Sequence, residues 1–498
     1  MHLSNPSLAR FGLIAALLAS TPPLFDTLRI EPAPEPTPDA TPGADGLGDE
    51  LFPKLGNGGY DALDYDITLA VDMSSGSIDA LAKISAKATQ NLSRFNLDLT
   101  GLEVKSVQVD GAPAVFAREG GELEITPAKA LVEGKNFQAT VAYSGVPVPI
   151  PDPSIPIEGL GWLKHDGEIY VLSEPFGASS FMPINDHPRD KATYTFRVTV
   201  PKAYVVAGNG ALAEKKESGD KVTYVWRTKD PMASYLATIA IAEFVVDESK
   251  GKGGLPITNY YSPKVPPKAR DAFAKQAEIL GFFSDKFGAY PFESAGGILA
   301  SIELPGALET QTRPTYGSGA AGESTIAHEL AHQWFGNCVS FNTWRDIWIA
   351  EGFAEYSSWL WTEHSQGAEA FQRDVLRSYG TVNRAPIEPP GKVDEKTLFG
   401  GGVYVRGPLV LHALRLEVGD DTFFKIVRTW VEAHKNGVAS DEDFIAHATA
   451  IAKRDMKPLL SAWLYDAKPP KIASLDEALA AKQKARDAKK PGGDKKKD

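Results

Sequence analysis

The chain has one cysteine in 498 residues, Cys338, so no intrachain disulfide can form and stability has to come from buried surface. That suits a reducing compartment, and equally an exported protein that relies on its core. Excess cations are lacking too. Lys and Arg number 52 against 64 Asp and Glu, a formal net charge of -12, which leaves no surplus to neutralise phosphates and argues against nucleic acid as a partner. No apolar run is long enough to cross a membrane. The nearest, residues 11–19 within "MHLSNPSLARFGLIAALLAS", follows Arg10 and precedes small residues. It is far short of a span and reads as an export signal over residues 1–21, although no clean small-x-small cleavage pair is present. The alternative is a cytoplasmic protein with a chance apolar run. No cysteine follows the segment, which excludes a lipid anchor of that kind, and no internal repeat is visible.

What is present is the composition of a soluble globular protein, 43% hydrophobic and 23% charged, in a chain long enough for two or more domains. Residues 22–50, including "EPAPEPTPDATPGADGLGDE", are rich in Pro, Ala and acids, have almost nothing to bury, and read as a semi-extended tether. From Tyr60 the pattern becomes period-two alternation broken by Gly, Pro and Asp, as in "YDALDYDITLAVD" and "KATYTFRVTVPKAYVVAGNG". Short strands with regular turns predict an antiparallel β domain over residues 51–250. After "KGKGG" the spacing turns helical, beginning with "PPKARDAFAKQAEILGFFSDKFG", and predicts a mostly helical domain over 251–472. The basic segment 473–498, ending "KKPGGDKKKD", reads as a disordered tail. The fold class expected is therefore multidomain α+β.

Within the helical part, "STIAHELAHQWFGN" places His328 and His332 four residues apart, so both project from one helix face. Ser324 or Thr325 is placed to cap this helix, Ile326, Leu330, Ala331 and Trp334 form a buried side, and Gly336-Asn337 is a stop signal. The spacing lets two imidazole nitrogens reach one Zn²⁺ at about 2.0–2.1 Å. Glu329, rotated off that line, can serve a water as general base without being a ligand. A third ligand is supplied by Glu351, nineteen residues after His332 in "WRDIWIAEGFAEYSSWLW", if a second helix returns to the first. Two His and one Glu leave a fourth position open, the catalytic rather than the structural arrangement. Asp346 is a candidate for orienting one of the histidines. The pentapeptide alone is equally compatible with a polar stripe on an ordinary helix. The other seven histidines, including His364, His412 and His434, have no such pairing, and Cys338 reads as a small buried side chain.

The combination of HExxH with this later Glu, inside "W-x-x-E-G-F-A", resembles the gluzincin aminopeptidases of the aminopeptidase N type. "PGALETQTRP" from Pro305 resembles that family's exopeptidase motif, with Leu308 and Thr310 in place of its Met and Asn. "VYVRGPLVLHALR" from Val403 resembles the segment with its catalytic tyrosine, which falls on Tyr404. The segments "LGNGGYDALDYDITLAVD" and "SEPFGASSFMPINDHP" look like its N-terminal β domain, so the resemblance runs from about residue 55 to 472. It implies a β-sandwich or saddle domain followed by a thermolysin-like catalytic domain, and one Zn²⁺ per chain. The substrates implied are peptides with a free N-terminus, their ammonium held by Glu309 and Glu174, with the backbone of Gly306 and Ala307 alongside. Tyr404 would stabilise the oxyanion. Ala350, Ser179 and Leu172 depart from residues common in the family, which bears on the first subsite rather than on the chemistry. The family's large C-terminal helical domain would begin where this chain stops, which implies a more open cleft. The rival readings are a zinc endopeptidase of the same class, which has no use for Glu309, and an inactive peptide-binding relative.

Overall fold

In a computed structural model of the chain, residues 39–152, 159–319 and 321–488 are described. The export signal, most of the tether and the last ten residues of the tail lie outside the described residues.

Strand formation in the first half follows the alternation in the sequence. Tyr60–Val71 and Ile78–Ala88 bury every second side chain and pair antiparallel, with a bulge between Ala62 and Asp64 that shifts the alternation by one residue. They form the centre of an eight-stranded sheet that is antiparallel except where Tyr60–Val71 runs parallel to Thr193–Pro201. A four-stranded sheet of Gly161–His165, Glu168–Leu172, Ile239–Ala242 and Val205–Gly208 lies nearer the site. Glu168–Leu172 and Ile239–Ala242 are buried on both faces, which explains their unbroken apolar runs.

The boundary at 250/251 falls inside a hairpin. Val245–Lys250 pairs antiparallel with Pro256–Tyr261 across the glycine-rich turn, and both belong to a five-stranded sheet with Ala295–Leu299, Thr315–Tyr316 and the edge strand Ala307–Leu308. "KGKGG" is thus the turn of a hairpin, and the mostly helical second half also carries strands of this five-stranded sheet.

Among the described residues the α-helices are α1 (Gln276–Phe287), α2 (Glu323–Ala331), α3 (Trp348–Gln366), α4 (Ala368–Val382), α5 (Gly407–Val418), α6 (Asp420–Ala433), α7 (Asp441–Ala452), α8 (Lys457–Tyr465) and α9 (Ala473–Ala488). None of them is long and apolar enough to cross a membrane. One continuous apolar core joins strand residues such as Tyr65 and Ile67 to Trp348 and Phe353 of α3.

Two expectations for the chain ends are corrected. Residues 39–50 are not a free tether, because Thr41–Pro42 pairs with Leu92–Asp98 and the buried Asp49 carboxylate accepts from the Trp344 amide (2.8 Å) and contacts His187 Nε2 (3.1 Å). A single buried carboxylate carries no hydropathy signal. In the tail, residues 473–488 form α9. "ASLDEALAAKQKARDA" is built from strong helix formers, Leu475 is buried, and Asp476 accepts from the Tyr379 hydroxyl at 3.0 Å.

Candidate metal centre and substrate cleft

The helix carrying the histidines starts earlier than its cap signal suggested. Gly322 occupies the cap position with extended backbone, so Ser324 and Thr325 lie inside the first turn and cap nothing. Glu323 takes the electrostatic role at that end, accepting from Trp361 Nε1 at 2.9 Å. Ile326, Leu330, Ala331 and Trp334 are fully buried, as the apolar spacing predicts. This face packs on α3, which brings Glu351 in its first turn against both histidines.

The three ligand atoms form a nearly equilateral triangle. His328 Nε2 lies 3.1 Å from His332 Nε2 and 3.2 Å from Glu351 Oε2, and His332 Nε2 lies 3.3 Å from the same oxygen. His328 Nδ1 faces Glu355 Oε2 at 3.1 Å and His332 Nδ1 faces the Phe335 carbonyl at 3.0 Å. Both outer partners are acceptors, which suits a proton on each Nδ1 and leaves each Nε2 facing inward as a metal ligand must. Two imidazole nitrogens and a carboxylate oxygen converge on one point, an arrangement that fits a bound cation. Tetrahedral ligands at about 2.05 Å from an ion are about 3.3 Å apart, so the observed spacing fits zinc.

Glu355, four residues after Glu351, orients His328 and is itself held by Trp359 Nε1 at 2.9 Å. It was not among the sequence candidates, although "EGFAE" places two acids one helical turn apart. Asp346 does not do this. Its Oδ2 accepts from the Thr343 amide and hydroxyl (3.2 and 2.9 Å) in a capping box, and its Oδ1 faces the Asp441 amide at 3.3 Å.

Glu329 is buried beside the triangle, and burial raises its carboxyl to about 7 against the opposing pull of His328 and His332. Glu309 and Glu174 come from different sheets. Glu309 follows the edge strand Ala307–Leu308, and Glu174 lies two residues beyond the strand Glu168–Leu172. Both are buried, and Glu309 Oε1 and Glu174 Oε1 each lack a hydrogen-bond partner. A carboxylate oxygen from each of Glu174, Glu309 and Glu351 lies within 4.8 Å of the others. Burial first, and then repulsion from Glu309 and Glu351, pushes the Glu174 carboxyl well up.

Two amides missed in the sequence lock this segment in place. Asn337 Nδ2 and Gln333 Nε2 donate to the Glu309 carbonyl at 2.7 and 3.2 Å, and Gln333 Oε1 accepts from the Thr312 amide at 2.8 Å. Asn337 therefore does more than stop a helix.

Tyr404 sits in a π-helical turn, Gly402–Arg406, with its ring 6.1 Å from that of His328. Arg406 anchors this turn by donating to the Trp463, Ala462 and Asp466 carbonyls at 2.8, 3.1 and 2.7 Å. π-turns of this kind frequently occur at functional sites. Gly306 and Ala307 line the cleft, and a Cβ built on Gly306 would meet no atom within 4 Å. Cys338 is buried and outside the triangle, while His364, His412 and His434 pack on Phe282, Tyr356 and Trp430.

Comparison with known proteins agrees with this geometry. The Peptidase M1 N-terminal domain matches residues 61–236 and the Peptidase family M1 domain matches 305–463. A crystal structure of an M1 zinc metallopeptidase from Deinococcus radiodurans superposes with a TM-score of 0.81 at 31% identity, covering 86% of this chain and 98% of that one. The chain belongs to peptidase family M1. A mutant of the Deinococcus M1 protein, solved with a Tyr-Ser-Ala substrate, superposes equally well. Among curated relatives, a probable aminopeptidase 1 of Sulfurisphaera tokodaii is 25% identical over 80% of this chain and 52% of its own length. Rat glutamyl aminopeptidase is 26% identical over 80% of this chain and 46% of its own length. The chain thus spans about half the length of these curated relatives.

Proposed function

We propose that this M1 chain is a zinc-dependent aminopeptidase that removes the N-terminal residue of peptides, with one zinc per chain on His328, His332 and Glu351. The observation that carries the reading is the pair of buried, partnerless carboxylate oxygens on Glu174 and Glu309, next to the ligand triangle. Buried carboxyl oxygens without partners are costly, and a guest that brings positive charge and several donors satisfies them. A peptide's terminal ammonium, one residue from the scissile bond, is that guest. The complex of the Deinococcus relative with a Tyr-Ser-Ala substrate supports the reading.

Bound zinc supplies Lewis acidity and makes water a nucleophile near neutral pH. The chain's own groups do the rest. Glu329 takes the proton of the attacking water and returns one to the leaving amine. The Tyr404 hydroxyl keeps its proton, since burial raises it well above its usual range, and donates to the developing oxyanion. Glu309 and Glu174 receive the ammonium and fix the register. Gly306 leaves room for the substrate backbone, with Ala307 beside it in the cleft wall.

Replacing Glu329 by Gln tests the mechanism. The variant is expected to hold zinc at unit stoichiometry by metal analysis while turnover disappears. A Glu329→Gln protein that still cleaves overturns it. Export through residues 1–21 remains part of the proposal, on the strength of the sequence pattern alone.

A further inference from the structure

The two carboxylates that receive the ammonium are each preceded by a leucine. Leu172 is fully buried two residues before Glu174, and Leu308 immediately precedes Glu309. Leu163, Leu172 and Leu304 form a small apolar cluster separate from the main core, with Ile302 and Leu308 packed against it. Leu160, Leu172, Leu304, Leu308 and Phe399 also line the cleft, a cavity of about 430 Å³ that contains His328, Glu329 and Tyr404. No Lys or Arg is among the described residues lining it; its other charged groups are Glu174 and Glu355.

The Cα of a bound N-terminal residue has three substituents to place. Its ammonium is taken by Glu174 and Glu309, and its carbonyl must point towards the histidines, Glu329 and Tyr404. The side chain is left with the leucine wall. We propose that this wall is the pocket for the first side chain, and that it selects large apolar residues such as Leu, Met and Phe while rejecting acidic ones. The inference rests on the aminopeptidase reading and deepens it. A leucyl side chain fills surface that an alanyl side chain leaves empty, and even one methylene in such a pocket is worth roughly 10- to 200-fold in kcat/KM. A glutamyl carboxylate would be desolvated without a cation and would face Glu174 and Glu309 as like charges.

The test is a panel of leucyl, alanyl and glutamyl reporter amides with the zinc-loaded full chain. Expected is a kcat/KM for leucyl at least roughly tenfold above alanyl and on the order of 10²-fold above glutamyl. Leu304→Lys, which adds a cation to the wall, should cut the leucyl-to-glutamyl ratio roughly tenfold or more. Calorimetry on the Glu329→Gln protein gives a readout independent of turnover, in which Leu-Ser-Ala should bind more tightly than Glu-Ser-Ala by a similar factor. Equal rates on all three reporters, or a glutamyl preference, overturn the inference and leave the aminopeptidase reading intact. No turnover of any reporter overturns both.

Discussion

Glu309→Gln should weaken catalysis while leaving the fold as stable as before or more so. In the folded chain the Glu309 carboxylate is 3% exposed, with Oε1 partnerless and Glu174 and Glu351 near it. Burial, followed by Glu351, raises its carboxyl, with His332 pulling the other way, so ionised Glu309 costs the protein something when no ammonium is bound. Glutamine keeps the shape and removes the charge. The lost interaction is a hydrogen bond to a charged group, worth about 1.5–3 kcal/mol. That is about 10- to 150-fold in kcat/KM, since each 1.36 kcal/mol is tenfold. The assay is kcat/KM on a leucyl reporter together with thermal unfolding of the same preparation. Opposite signs are expected, with activity falling and Tm level or rising, as is usual where a site keeps strain for function. Unchanged kcat/KM, or a loss of Tm that tracks the loss of activity, would refute the ammonium role and make Glu309 a structural acid.

Two further outcomes follow from the geometry. Glu355→Gln removes the carboxylate that orients His328, and zinc affinity should fall about 10- to 100-fold in competition with a chelator; unchanged affinity would show that the 3.1 Å contact does not matter. In the β domain, burial and then Asp61 push Asp190 up to about 8, far above its unfolded range near 4, while its oxygens accept from the Ala62 amide at 3.1 and 3.2 Å. A carboxyl with a raised folded value stabilises most below the unfolded value and loses that contribution as pH rises through the folded one. The Tm of the parent relative to Asp190→Asn should therefore decline between pH 4 and 8, and a flat difference would contradict the assignment.

The candidate ligand group was legible because its spacings are local. Two histidines four positions apart and a helical acid nineteen residues later are spacings that backbone geometry converts directly into a triangle of ligand atoms. The strands were equally legible, since one-sided burial writes period two into "YDALDYDITLAV". Glu355 could have been found from its helical spacing to Glu351, but Gln333 and Asn337 could not. Their amides hold the Glu309 carbonyl across 24 and 28 residues, and nothing in either neighbourhood announces it. The chain ends misled for a related reason. Composition reports what a segment can bury, and Asp49 anchors its segment through one carboxylate. In residues 473–488 the many lysines hid a run of helix formers. The hairpin at 250/251 misled because glycines mark turns and linkers alike.

The central claim is that this cleft reads a free amino terminus beside a zinc site. Hydrolysis of one peptide with a free N-terminus and of its N-acetylated twin by the zinc-loaded chain tests it most directly. The account predicts release of the first residue from the free peptide and no measurable cleavage of the acetylated one. Equal cleavage of both would contradict it and make the protein an endopeptidase.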